Sequence, residues 1–165
     1  MDKDVLSHVL RRLKFTAQLP DDVQARLAAS ATVHRYAAKS TVFREKADNH
    51  QLMIIWVGKV ALDMQVPGRE AVRILTAGPG DVIGWSALLG GGKMTTSATA
   101  LEDTQVIAFA ANELQATCES NHSFGYFLMN KVATSLVERL LDTRLKLIDL
   151  FTFEQAIGIH PTSRK

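Results

Sequence analysis

Between Thr32 and Phe109 the chain is built of short segments rich in valine, isoleucine, threonine and aromatics, each cut off by turn residues. That punctuation constrains the fold more than any other feature. The segments are Thr32–Tyr36, Thr41–Arg44, Gln51–Val57, Lys59–Val66, Ala71–Leu75 and Gln105–Phe109. Among the breaks are Val57-Gly58-Lys59, Pro67-Gly68-Arg69 and Gly78-Pro79-Gly80-Asp81. Glycine reaches the positive φ of a tight turn without a Cβ clash, so these breaks read as reversals between antiparallel strands. Regular short strands with regular breaks predict a closed barrel or a sandwich, and closure disposes of exposed strand edges.

Helical grammar flanks this region on both sides. Asp4 to Leu13 places Val5, Val9, Leu10 and Leu13 on one face. A second helix is expected from Pro20-Asp21-Asp22 through Leu27 to about Ser30, with proline and acids suiting its first turn. Helix resumes after Asn112, first over Glu113–Glu119 and then over Ser123–Phe151. The long helix carries two apolar stripes: Val137, Leu141, Leu145 and Ile148 on one, Leu136, Leu140, Leu147 and Leu150 on the other. One stripe can face the barrel while the other meets a second copy, which predicts a homodimer through Leu140, Leu147 and Leu150. The alternative is that both stripes wrap one barrel. The expected division is one domain over 1–151, with N-terminal helices at 4–30, barrel at 31–110 and C-terminal helices at 111–151, followed by a polar tail at 152–165.

Bulk properties narrow the function. A chain of 165 residues, 47% hydrophobic and 22% charged, suits one globular domain. At this size folding buries roughly 68–70% of the extended-chain surface, so packing alone can stabilise it. A net charge of +2 with scattered lysines and arginines does not call for nucleic acid. The clusters Arg11-Arg12 with Lys14, and Arg164-Lys165, read as solvated charge. No stretch is apolar enough to span a membrane, and Met1 to Arg12 lacks a signal-peptide core, so a cytoplasmic setting is expected. Cys118 has no partner for a disulfide and reads as a packed thiol. His8, His34, His50, His122 and His160 fall one per element, without the spacing that places two imidazoles on one metal. No nucleophile stands with a base, so neither an enzyme nor a metal or other cofactor is expected.

The segment Gly80-Asp81-Val82-Ile83-Gly84-Trp85-Ser86-Ala87-Leu88-Leu89, followed by Gly90-Gly91-Gly92-Lys93-Met94-Thr95-Thr96-Ser97-Ala98-Thr99-Ala100, resembles the phosphate-binding cassette of the cyclic-nucleotide-binding domain family. The family pattern lies over it without a gap. Gly58 in its turn, Leu19-Pro20, and Arg139-Leu140 with Thr143 in the long helix add to the likeness, which covers about Phe15 to Phe151. The resemblance implies a mainly β fold, an antiparallel β barrel of double-stranded β-helix or jelly-roll type, with N-terminal helices and a long C-terminal helix that ligand binding shifts. It also implies a cassette glutamate for the ribose hydroxyl and a cassette arginine for the cyclic phosphate. Here those positions hold Trp85 and Met94.

Hydrogen bonds to charged groups contribute about 1.5–3 kcal/mol each, so losing both lowers affinity by about 3–6 kcal/mol, on the order of a hundred- to ten-thousandfold. What remains as candidate ligand-binding residues is Gly84, Trp85, Ser86, Ala87, Lys93, Met94, Thr95 and Thr96 in the cassette, Leu62, Val72 and Ile74 on strands, and Thr143 and Arg144 on the helix. Trp85 either fills the vacated pocket or walls a different ligand. Lys93 and Arg144 either serve an acidic ligand or are a solvated charge and a helix ion pair. Amides near Gly84, Ala87 and Thr96 can form an anion nest. Gly90-Gly91-Gly92-Lys93 is no nucleotide-triphosphatase loop, because Met94 follows the lysine where serine or threonine is needed; the glycines read as a mobile tip. The expected function is a non-catalytic sensor module that does not bind cyclic AMP in the usual way. Its nucleotide ligand, if any, is unknown, and no direct nucleic-acid contact is expected. The alternatives are a cyclic mono- or dinucleotide-binding domain with a modified cassette, and a fragment of a transcription regulator without its DNA-binding part.

Overall fold

The computed structural model describes residues 3–156, with side chains from 4 to 149. Helices α1 (Lys3–Leu10) and α2 (Asp21–Ser30) precede the strands β1 (Thr32–Tyr36), β2 (Thr41–Phe43), β3 (Gln51–Val57), β4 (Val60–Met64), β5 (Val72–Ala77) and β6 (Val82–Ile83). A single-turn helix, α3 (Ser86–Leu89), leads to β7 (Ser97–Ala100) and β8 (Thr104–Ala110), and the chain ends in α4 (Ala111–Ser120) and α5 (His122–Ala156). The strands form two four-stranded antiparallel sheets, ordered β1-β8-β3-β6 and β2-β7-β4-β5.

The jelly-roll architecture is therefore present, but the closed barrel expected from the strand spacing is not. The two sheets face each other, and among the described residues no ladder joins β1 or β6 to the edges of the other sheet. β6 is only two residues long and pairs with β3 alone, too short to bridge the gap. Strands β6 and β7 were also not anticipated. Ser97-Ala98-Thr99-Ala100 lacks the branched and aromatic bulk that marks a strand, because Ala98 and Ala100 are wholly buried at the tight interior of the sandwich.

The first sheet is covered on both faces. Along β3, Leu52 and Ile54 face one core while Met53 and Ile55 face another. Along β8, Ile107 and Phe109 go with the first pair, and Val106 and Ala108 with the second. One core lies between the sheets and includes Val60, Leu62, Ile83 and Met94. The other joins this sheet to Leu10, Leu27, Phe124 and Leu128 of the helices. Period-two side chains explain why both strands read as nearly continuous apolar runs.

The β3–β4 turn depends on Gly58, whose φ is +92°. A Cβ there would stand 2.4 Å from the Thr104 hydroxyl oxygen and 2.8 Å from the Asp103 carbonyl. Helix α1 stops at Leu10, three residues short of its apolar stripe, because the buried Thr16 hydroxyl donates to the Leu10 carbonyl and closes that end. The linker is then held by Gln24, whose Nε2 donates at 3.0 Å to both the Thr16 and Leu19 carbonyls. Asn121 caps α5, its side-chain oxygen accepting from the Phe124 amide at 2.9 Å.

Helix α5 continues to Ala156, into the stretch expected to be tail; the rest of that stretch, and the side chain of Leu150, lie outside the described residues. The two apolar stripes are unequal. Leu136 and Leu140 line the cleft beside the β domain, and Leu140 still leaves 49% of its surface exposed. Leu147 is 48% exposed, and Val137, Leu141 and Leu145 are exposed by 55%, 52% and 61%. Successive helical residues turn by about 100°, which sets Val137, Leu141 and Leu145 roughly opposite Arg139 and Thr143, with Leu147 on the side of Thr143.

Replacing Gln24 with leucine keeps the volume and takes the donor from the Leu19 carbonyl, while the Thr16 carbonyl keeps the Leu19 amide at 3.0 Å. An unmet buried carbonyl costs about 1–3 kcal/mol. Urea denaturation of Gln24→Leu is expected to show a loss of about 1–3 kcal/mol, with an unchanged slope.

Candidate functional site

A cleft of about 290 Å³ opens between the second sheet and α5. Leu62 and Met64 of β4, with Ile74 and Leu75 of β5, form its floor. Trp85, Thr95 and Thr96 wall one side, and α5 closes it with Leu136, Arg139, Leu140, Asp142, Thr143 and Lys146. Its surface is mainly hydrocarbon, with polar groups concentrated on the helix.

Six of the residues named from sequence meet here: Leu62, Ile74, Trp85, Thr95, Thr96 and Thr143. The others stand apart. Val72 is 45% exposed and outside the lining. Met94 is only 3% exposed and packs between the sheets with Phe43, Met53, Ala87 and Ala98. Lys93 reaches across to Asp48 at 3.2 Å, both groups well exposed, so it is a surface ion pair. Arg144, one residue beyond Thr143, is rotated off the cleft and exposed, and no acid pairs with it among the described residues.

The cassette backbone is closely tied. Gly84 has a φ of +74°, and the chain turns there into α3. The Ala87 amide donates to Gly84 O and the Leu88 amide to Trp85 O, both at 3.0 Å, so these N–H groups serve the turn rather than a nest for an anion. Ser86 and Ala87 are buried. The glycine tip is anchored too: the Gly90 and Gly92 amides donate to Ser86 O at 2.9 and 3.0 Å, and the Asn49 amide donates to Gly92 O at 2.8 Å. Met94 pairs with the Lys46–Ala47 turn through its own N–H and carbonyl.

Sequence reasoning missed the cations that α5 turns toward the cleft. Arg139 entered only as part of a family likeness, and Lys146 not at all. The Arg139 guanidinium donates to the Val82 carbonyl on β6. Burial pulls its pKa below the usual arginine value, opposed by the charge of Asp81. Asp81 is itself occupied by the Gly78 amide at 2.9 Å. Lys146 Nζ donates to the Ile74 carbonyl at 3.0 Å, across the cleft mouth. On the far side of Arg139 a polar cavity of about 270 Å³ separates α5 from the N-terminal linker. Lys14 pairs there with Glu138 at 2.8 Å, and Lys131 donates to Gln18 at 3.0 Å. The Lys14 pKa is raised chiefly by that hydrogen bond.

Other chemistry is sparse. Burial, and then the charge of Glu119, raise the pKa of the Cys118 thiol, which disfavours thiolate at neutral pH. Among the described residues no three His, Cys, Asp or Glu are grouped to hold a metal, and no helix is long and apolar enough to cross a membrane.

Comparison with known proteins adds four observations. Residues 33–121 match the family described as the cyclic nucleotide-binding domain. The chain is 29% identical over 143 residues to the cyclic AMP receptor protein of Thermus thermophilus, covering 86% of this chain but only 63% of that protein's length. Among solved structures, it is similar to the N-terminal domain of a transcriptional regulator from Streptomyces coelicolor, with a TM-score of 0.66, 29% identity, and 79% and 91% of the two chains covered. It is also similar in fold to a cyclic nucleotide-binding domain from Methylobacillus flagellatus, with a TM-score of 0.77 at 14% identity, covering 89% and 83%.

A Cβ at Gly84 would stand 2.6 Å from the Gln51 carbonyl and 3.1 Å from Asn49 Nδ2. Gly84→Ala is expected to cost at least about 1–3 kcal/mol through the backbone conformation alone and to shift tryptophan emission by displacing Trp85. At Gly91 a Cβ meets nothing within 4 Å, so Gly91→Ala should leave the emission unchanged.

Proposed function

The chain belongs to the cyclic nucleotide-binding domain family, and from that premise we propose that it is a non-catalytic sensor module whose cleft does not hold cyclic AMP in the family's usual way. One observation carries this reading. The cassette position where the resemblance places a phosphate-binding arginine holds Met94, an apolar side chain 97% removed from solvent and packed between the sheets. Trp85, at the position of the ribose-binding glutamate, is a hydrophobic wall of the cleft. The floor and volume of a small-molecule site remain, without the two side chains that would recognise a ribose phosphate.

A modified cassette that grips a nucleotide through Lys93 and Arg144 has less support, since one is paired with Asp48 and the other points off the cleft. A second reading of context is favoured by coverage. The chain spans 63% of the length of the Thermus cyclic AMP receptor protein, and the similar Streptomyces domain is the N-terminal part of a transcriptional regulator. A module of this kind serving as the sensory part of a longer regulator is consistent with both.

Self-association is part of the proposal. Val137, Leu141 and Leu145 form an apolar stripe on α5 turned away from the β domain, the arrangement that pairs two parallel helices across a twofold axis.

Calorimetry with cyclic AMP is expected to give binding weaker than about micromolar, roughly 8 kcal/mol. The double variant Trp85→Glu with Met94→Arg should gain at least about a hundredfold; submicromolar binding by the unaltered chain would sink the proposal. Light scattering should report a dimer that Leu141→Glu with Leu145→Glu converts to monomer. A monomer at high concentration of the unaltered protein removes the role given to the stripe.

A further inference from the structure

The cleft has a polarity of its own. Its floor and one wall are apolar, from Leu62, Ile74 and Trp85, and the cassette side offers only the hydroxyls of Thr95 and Thr96. Its charges come from α5 alone, where Arg139 and Lys146 stand with the single acid Asp142. The cation deeper in the structure is Arg139. It is largely withdrawn from water, yet the only hydrogen-bond acceptor it has among the described residues is the neutral Val82 carbonyl. The nearby Asp81 carboxylate accepts from the Gly78 amide and lends charge without a hydrogen bond. A guanidinium carries five N–H donors, and a buried cation is stable only when its donors and charge are met. Arg139 lines both this apolar cleft and the polar cavity beyond it, and it therefore retains donor capacity at the wall between them.

From this juxtaposition we infer that the cleft takes a small amphipathic anion, a carboxylate with an aromatic or aliphatic body, its head on Arg139 of the helix and its body against Trp85 and the β4–β5 floor. The anion is held from the helix side, not from the cassette. A planar carboxylate suits the arginine fork, which can offer two parallel N–H groups. Lys146, now on the Ile74 carbonyl at the mouth, adds a second positive charge without needing to move. A volume of about 290 Å³ fits a ligand of ten to twenty heavy atoms, about the lower limit of small-molecule sites.

The inference rests on the reading of the cleft as a sensing site, and its test separates the two. The full chain is titrated with 4-phenylbutyrate and with its neutral counterpart 4-phenylbutyramide, by calorimetry and by tryptophan fluorescence. The carboxylate is expected to bind roughly tenfold or more tighter than the amide, and Arg139→Gln to erase that difference. Arg35→Gln, an exposed change on β1 of equal charge, should leave it intact. Arg139→Lys keeps the charge and loses the fork, so it should retain part of the preference and serves if the glutamine variant does not fold. Equal binding of acid and amide, or a preference that survives Arg139→Gln, overturns the inference while leaving the sensing cleft in place. Failure of both compounds to bind overturns it as well. Submicromolar cyclic AMP in the parallel titration instead removes the reading on which it stands.

Discussion

Everything in this protein is referred to a sheet that is buried on both faces. β3 and β8 sit at its centre, and their alternate side chains belong to two cores at once. Neither strand can slip by one residue without turning each core's side chains into the other. The consequence reaches the cleft. β6 hangs on β3 by two residues, and through it the cassette takes its position: Gly80 and Asp81 bond to Ile55, and Gly84 abuts the Gln51 carbonyl. The rigid centre of the sheet thus sets Trp85, while the site itself is made of peripheral pieces.

Helix α5 has the opposite character. Its buried residues end at Val132, with Leu136 still packed against that core, and beyond that it is held mainly by separate polar anchors. Lys14 with Glu138 is an exposed ion pair, worth little in water, and Lys146 on Ile74 is similarly placed. Arg139 on Val82 is the half-buried anchor. A helix of 35 residues, about 50 Å long, is fixed firmly at its start and by few contacts over the cleft. The same few residues border the cleft and hold the helix, so whatever occupies the cleft bears directly on the helix position. That link between occupancy and helix is what a sensor module requires.

How much of this was legible in the sequence depended on whether a residue's environment is local. β1 and β3 were readable to their ends because branched, aromatic and other β-favouring side chains are concentrated in them and turn residues bound them. β7 was not, since Ser97 to Ala100 owe their strand to partners on β2 and β4 rather than to propensity. The cassette glycines marked their turns, and the losses at Trp85 and Met94 were visible by position. That Met94 is core, and that Arg139 bonds a carbonyl 57 residues away, are tertiary facts without a local signature. The closed barrel failed for a related reason: closure depends on how far two sheets curve toward each other, which strand spacing does not encode.

The order of the second sheet leaves β5 at its edge, a strand with backbone groups available for pairing. Such an edge can template a strand from another molecule and begin aggregation. On this chain Lys146 occupies the Ile74 carbonyl, and Arg73, bound to Asp63 at 3.0 Å, puts charge on the same strand. The helix that roofs the cleft therefore also guards the protein against its own stickiness, and a chain shortened before Lys146 would face solution with that edge uncovered.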